Sequence, residues 1–461
     1  MLKRFFAILI IGLLVSSAIS QSRVSRQVVS EKRLARFLTF SKVPGSTVVS
    51  PDGRHLAYIA NARGRYSVII DGKEQSQYDE IVDSAPVFSP DGQHVAYVAG
   101  RNGKQFVVVD GREGQPYDGV ARGAPIFSPD GLRTGYGVQT GRQQRVVVDG
   151  EEGRVFEGIL NGSPVFSNDG KHVAYGAKMA DKWVVVLDGR EGKSYDGIAE
   201  SLVFSPDSRR IAYTVGVNQR FMVVVDGKEQ RTYEGVGAII FSSNSQHVAY
   251  PASVGKKDFV VVDGKEGKYY DSIVDNTLAF SPDGKRVVFG GRRGEKVFIV
   301  VDGREGEEFD EILEGSPVFN PNSQHVACGV KEGNSWLVVT DGKRGKSYAS
   351  VGSNTIVYSP DGNRLAYLVE TDTGWRLVVN EVEGKSYETM ILVPVFSPDS
   401  KHIAYGARKG QDRFVVVDGI EGKAFDSIWP NRLFFESPNQ FRYTGAVGDT
   451  VYLVTEKLTV E

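Results

Sequence analysis

From about residue 40 onward, apolar and polar positions recur in one fixed order. The clearest copy is PVFSPDGQHVAYVAGRNGKQFVVVDGREGQPYDGV, Pro86 to Val120. The apolar pair Val87 and Phe88 runs into a polar SPDG turn. A second, mostly apolar stretch, His94–Ala99, ends in a polar loop containing glycine. The uninterrupted run Phe106–Val109 follows and is closed by Asp110-Gly111. Pro116–Val120, the most polar stretch, completes the unit. Each stretch has the length of a strand, and each break carries turn chemistry: Pro presets φ, Asp bonds its own backbone, and Gly admits positive φ. The pattern predicts four strands per unit, joined by short links and therefore antiparallel.

The turn begins at Ser50, Ser89, Ser128, Ser167, Ser205, Ser242, Ser281, Asn320, Ser359, Ser397 and Ser437, at spacings of 37 to 40 residues. So constant a period marks a repeat architecture. A VVV run implies a strand covered on both faces. A sheet with buried middle strands and a polar outer strand must be sandwiched between copies of itself, which is the arrangement of a β-propeller blade. An open solenoid is the alternative, but it would leave two ends to cap. The expectation is an all-β fold, a β-propeller of repeated four-stranded antiparallel blades. It has ten to eleven units, arranged as one large ring or as two tandem rings. The last unit, from Leu433, supplies about three strands. Phe37–Phe40, FLTF, is expected to add the missing fourth and so remove an open edge.

The remaining regions are short. Residues 1–20 read as a signal peptide, with Lys3 and Arg4 before an apolar run from Phe5 to Ala18 and a small-residue site, Ala18-Ile19-Ser20. The run is short for a bilayer span, so no transmembrane span is expected in the mature chain, and an uncleaved anchor is the alternative. Residues 21–36 read as a basic lead-in segment, 37–455 as the repeat array and 456–461 as a tail. Export to a periplasmic or extracellular compartment follows. A net charge of −2 gives no general reason to expect a nucleic-acid partner. The single cysteine, Cys328, excludes an intramolecular disulfide. It falls in the slot that Tyr58, Tyr97, Tyr175, Tyr250 and Tyr405 occupy elsewhere, so it reads as a core residue.

The PxFSPDGxxxAY core with its following VVVDG strand resembles the WD-repeat-like propeller repeats of TolB and of the N-terminal propellers of prolyl oligopeptidase-type enzymes. The resemblance covers nearly all of the mature chain. It implies a partner-binding propeller in the envelope. The chain departs from TolB in having too little sequence before Ser50 for an extra N-terminal domain, and in having more than six units.

The chemistry-bearing residues follow the repeat. His55, His94, His172, His247, His325 and His402 each lie five residues after the start of an SPDG-type turn, where Arg133, Arg210, Arg286 and Arg364 stand in other units. A side chain present once per unit reads as a structural partner, to a turn aspartate or a backbone carbonyl. No HExxH or GxSxG motif occurs, so no metal, cofactor or catalytic residue is expected. The Asp-Gly aspartates, from Asp71 to Asp418, stand one per hairpin, whereas calcium needs several oxygens from one loop. Asn380-Glu381 breaks that rule. The four tryptophans, Trp183, Trp336, Trp375 and Trp429, do not share one slot. An aromatic residue in every fourth strand, such as Tyr78 or Tyr117, reads as packing between blades.

In a meander, the SPDG and Asp-Gly turns share one face, and the second turns share the other with the links between units. The second face varies more, as a binding surface on a rigid scaffold does. It is rich in cations, with acids such as Asp83, Glu200, Asp275 and Glu314 expected in the links. Arg101, Arg142, Lys256, Arg292 and Arg408 are the candidate contacts, for a protein or an anionic envelope polymer. The expected function is an exported, non-enzymatic binding scaffold. A polysaccharide lyase or hydrolase working from the central cavity, or a structural spacer, are the alternatives. The partner's identity and the oligomeric state are not legible.

Overall fold

The computed structural model describes residues 24–37, 42–199, 202–429 and 433–460. Its described residues form eleven antiparallel sheets and no helix. The second sheet shows the pattern. Its long middle strands, Val95–Arg101 and Lys104–Val109, pair in register from Ala96↔Val109 to Arg101↔Lys104. Asp110 and Gly111 both hold positive φ, 48° and 78°. That is a type I′ turn, which matches the twist of the strands it joins.

Alternation along the middle strands sends side chains into two different cores. Tyr97, Ala99, Phe106 and Val108 pack with Ala57, Val68 and Tyr78 of the first sheet. Val98 and Val107 pack with Tyr136, Val138 and Val147 of the third. The same arrangement joins each sheet to its successor, and the last sheet also meets the first. Leu34, Val451 and Leu453 of the last sheet share a core with Val49, Leu56 and Tyr58 of the first. Burying each such Val or Leu side chain contributes about 1.5–3 kcal/mol. The fold is therefore stabilised at the sheet-to-sheet contacts, in the manner of a β-propeller.

Three details differ from the sequence reading. The first strand of each full unit is mostly two short pieces, such as Glu80–Ile81 and Val87–Phe88, both paired with Val95–Arg101. Asp83, Asp275 and Glu314 lie in the breaks between these pieces, not in links between sheets. Glu200 lies outside the described residues. The expected fourth strand, Pro116–Val120, is divided: Tyr117 bridges to Gln105 of its own sheet, while Gly119–Val120 pairs with Val138 and Gln139 of the next. The link between sheets is thus almost one residue long, and Asp118 is that residue.

The closing strand is also displaced. Val24–Arg36, read as a lead-in, is a 13-residue strand paired antiparallel with Thr450–Val460. Residues 456–460, read as a tail, belong to that partner strand. Phe37 follows the strand with its ring edge-on to Tyr58. Residues 38–40 of the expected closing strand lie outside the described residues, as does the expected signal peptide. Arg26 shows why basic letters suit this strand. Its guanidinium donates to Glu456 at 2.9 Å and to the carbonyls of Val415 and Ile420 at 2.7 Å, and it lies over the Phe441 ring. The charge is compensated where the strand, at the edge of the last sheet, meets the tenth.

Candidate functional site

On the turn face, the recurrent polar side chains have internal partners. Ser89 is fully buried; its hydroxyl donates to Asp91 at 2.5 Å and accepts the His94 N–H at 2.9 Å. The hydroxyl and the Gln93 N–H together hold the Asp91 carboxyl below its usual range. The Nδ1 of His94 lies 2.7 Å from one oxygen of Asp110, whose other oxygen accepts the Val95 N–H at 3.0 Å. All six histidines meet a turn aspartate in this way, at 2.5 to 2.7 Å. Arginine in the slot reaches further. Arg133 donates to Asp149 at 2.8 Å, to the carbonyls of Gly170 and Lys171 in the next sheet at 3.0 Å, and lies over Phe166. Both oxygens of these Asp-Gly aspartates serve the turn. Among the described residues no three His, Cys, Asp or Glu side chains gather as a metal-binding group.

The turn also joins neighbours. With Gly92 at its fourth position, the Asp52 carboxylate of the preceding sheet lies 2.6 Å from where a Cβ would stand. Where serine takes that position, its hydroxyl instead accepts the preceding sheet's Asp N–H, as Ser208 does for Asp169 at 2.9 Å.

The opposite face, built from the second turns, is organised by the acids that follow the strand-four aromatics. Asp118 accepts the Gly141 N–H of the next sheet's hairpin at 2.6 Å and also pairs with Lys104 of its own. Asp196, Asp271 and Asp310 repeat this clasp on Asn218, Gly294 and Gly333, with Lys182, Lys257 and Lys296. The hairpin amide and the lysine lower these carboxyl pKa values; for Asp118 the amide contributes most. Many of the face's cations are therefore paired already, which the sequence did not show. The signal was present in the acid after the aromatic, but its partners lie 14 to 23 residues away.

The five candidate contacts stand in different sheets and do not converge on one point. Arg101 grips Glu113 through two hydrogen bonds, 2.8 and 3.0 Å, and lies over Tyr78 and Phe106, so it is an internal brace. Arg292 is half-buried and donates to the Glu295 carbonyl at 3.4 Å. Arg408 is half-buried, 3.9 Å from Glu388. Arg142 and Lys256 are exposed at hairpin tips.

The aromatics pack between sheets. Tyr78 meets Tyr97 edge-on at 6.1 Å. Trp375 occupies the same place as Trp183 and Trp336, opposite the strand-four tyrosines Tyr387, Tyr195 and Tyr348, so three of the four tryptophans do share a slot. Cys328 is buried, with its sulfur 3.3 Å from the Ser316 hydroxyl, and burial pushes its thiol up to about 12. Clefts open between successive sheets on the turn side, among them one of about 660 Å³ between the eighth and ninth sheets, lined by His325, Tyr358 and Glu381.

No family model matches the chain, and no curated protein matches it in sequence. Solved structures give distant likenesses. A eukaryotic initiation factor is 12% identical, covering 81% of this chain and 96% of its own at a TM-score of 0.40. The β-propeller domain of the Trilobed protease from Pyrococcus furiosus is 16% identical, covering 58% and 95% at 0.29. A Myceliophteria thermophila β-propeller domain is 11% identical, covering 57% and 97% at 0.27.

Proposed function

We propose that the eleven sheets close as one ring, and that the protein is an exported, non-enzymatic β-propeller binding a protein or an anionic envelope polymer through its hairpin face. The single-ring reading rests on the core shared by the first and last sheets. One observation carries the choice of face. The recurring polar side chains of the turn face hold one another, unit after unit, whereas the hairpin tips differ from sheet to sheet and expose cations such as Arg142 and Lys256. The turn-bound histidines support a role without catalysis. Export is supported by the charged start and apolar run of residues 1–20, and is tested by N-terminal sequencing of the chain recovered outside the cytoplasm.

Binding is tested by immobilising the mature chain and capturing from envelope extract at low and high ionic strength. The expected result is one dominant species, retained at low salt and lost with R142E/K256E, because such contacts are screened by salt. Capture that ignores both salt and charge reversal overturns this reading.

A further inference from the structure

The turn face departs from its repeat at the cleft between the eighth and ninth sheets. The cleft between the second and third shows the ordinary lining. Val109 ends a third strand, Phe127 ends a first strand, and Asp149-Gly150 makes the turn beside them. The cleft between the eighth and ninth has the same volume, about 660 Å³, and the same places in its wall. Those places hold Thr340, Tyr358 and Asn380-Glu381. Among the first ten sheets, Thr340 is the only polar residue in its place, Tyr358 the only tyrosine, and Asn380-Glu381 the only replacement of Asp-Gly. Three of the four letters bring a polar group where the repeat has none. The fourth exchanges a carboxylate for an amide. All four line one cleft.

These changes cost the fold something. The Tyr358 hydroxyl is buried beside Asp341 and Thr340 and makes no hydrogen bond, a loss of about 1–3 kcal/mol. Glu381 holds a positive φ of 68°, which suits the glycine of the repeat. Asn380 still accepts the Leu365 N–H at 2.9 Å, but Arg364 loses its turn carboxylate. Strained and unpaired positions that gather in one place mark a site where function outweighs stability. The groups at the mouth indicate its chemistry. Asn380 and Glu381 are exposed, and Glu381 lies 3.7 Å from Lys343 of the eighth sheet. The Asn380 oxygen is taken by Leu365, so its amide nitrogen is left to donate. A carboxylate that accepts thus stands beside an amide and an ammonium that donate. A hydroxyl does both, and neighbouring hydroxyls satisfy the whole set. A lone anion would face Glu381 and Asp341, and a lone cation would face Lys343. The volume is within the range that holds a small ligand.

We propose that this cleft binds a neutral sugar. The sugar's hydroxyls bond to Glu381, Asn380 and Lys343, above a floor that includes Thr340 and Tyr358. The site lies on the turn face and is separate from the hairpin face.

The probes are D-glucose, D-galactose and D-mannose, each titrated against the mature chain by saturation-transfer NMR. Saturable binding of at least one is expected for the wild type, weakened about tenfold or more in N380D/E381G. That variant restores the repeat's own letters and should be the more stable protein, so a lost affinity is not a lost fold. T340V/Y358F restores the floor and carries the test if the first variant does not fold. No saturable binding of any of the three hexoses, or unchanged affinity in the folded variants, overturns the proposal. So does tighter binding of glucuronate or glucosamine than of every neutral hexose. None of these outcomes bears on the hairpin face.

Discussion

The turn face and the hairpin face are made by the same units, yet they use polar residues differently. On the turn face the carboxylates, hydroxyls and imidazoles satisfy one another chiefly within one unit, as Ser89, Asp91, His94 and Asp110 do, with serines such as Ser208 also reaching the preceding sheet. On the hairpin face the recurrent group is a carboxylate that reaches across to the next sheet, as Asp118 does, while the turn beside it changes letters freely. A position that returns in every unit is held by a partner that returns with it. Freedom to recognise something else is left where the repeat relaxes.

The largest expected effect comes from deleting Val24–Arg36. Thr450–Val460 becomes an open edge, and the core under Leu34 and Val451 is uncovered. The deletion variant is expected to lose cooperative thermal unfolding and to self-associate, read by calorimetry and light scattering. A deletion that unfolds like the wild type would mean that the first strand is dispensable.

Ser89→Ala is next. It leaves the His94 N–H without its side-chain acceptor, at a cost of about 1–3 kcal/mol by denaturant titration. Ser76→Ala, on an exposed outer strand, should be near neutral. Equal losses at the two sites would break the distinction between recurrent and variable positions.

The ninth sheet offers a gain. Glu381 stands in the Asp-Gly glycine's place with φ of 68°, a conformation that costs a side-chain-bearing residue about 1–2 kcal/mol. Glu381→Gly is expected to raise the unfolding midpoint by relieving it. Adding Asn380→Asp supplies Arg364 with the carboxylate that Arg133 has in Asp149.

The smallest effect is acid sensitivity. The carboxyls of Asp169 and Asp361 are held to about 2, chiefly by the hydroxyls of Ser167 and Ser359. Folded values below the unfolded ones make stability present above the usual carboxylate range and lost as pH falls through it toward 2. Ser167→Ala should flatten that dependence between about pH 4 and 2, measured by urea midpoints.

Much of this was legible because the repeat is written in local chemistry. SPDG and Asp-Gly declare turns through proline, serine and positive φ, and the histidine slot predicted a turn aspartate or a carbonyl as partner. The closing strand was not legible. Val24–Arg36 is polar on most of its length, and its partner begins more than 400 residues later, so no local period betrays it. The division at Tyr117 and Gly119 was hidden for a related reason: one short stretch serves two sheets. The candidate cations misled because Arg101 reads as a free charge until the fold brings Glu113 and two aromatic rings around it.

The amino-acid sequence alone determined the unit, its turns and its copying, since each depends on residues close to one another along the chain. Tertiary structure decided which charges remain exposed, which strand completes the last sheet and which contact lacks a ring. Those outcomes depend on what one sheet places against the next, and Cys328 is a core residue only because Phe309 of the preceding sheet stands across from it.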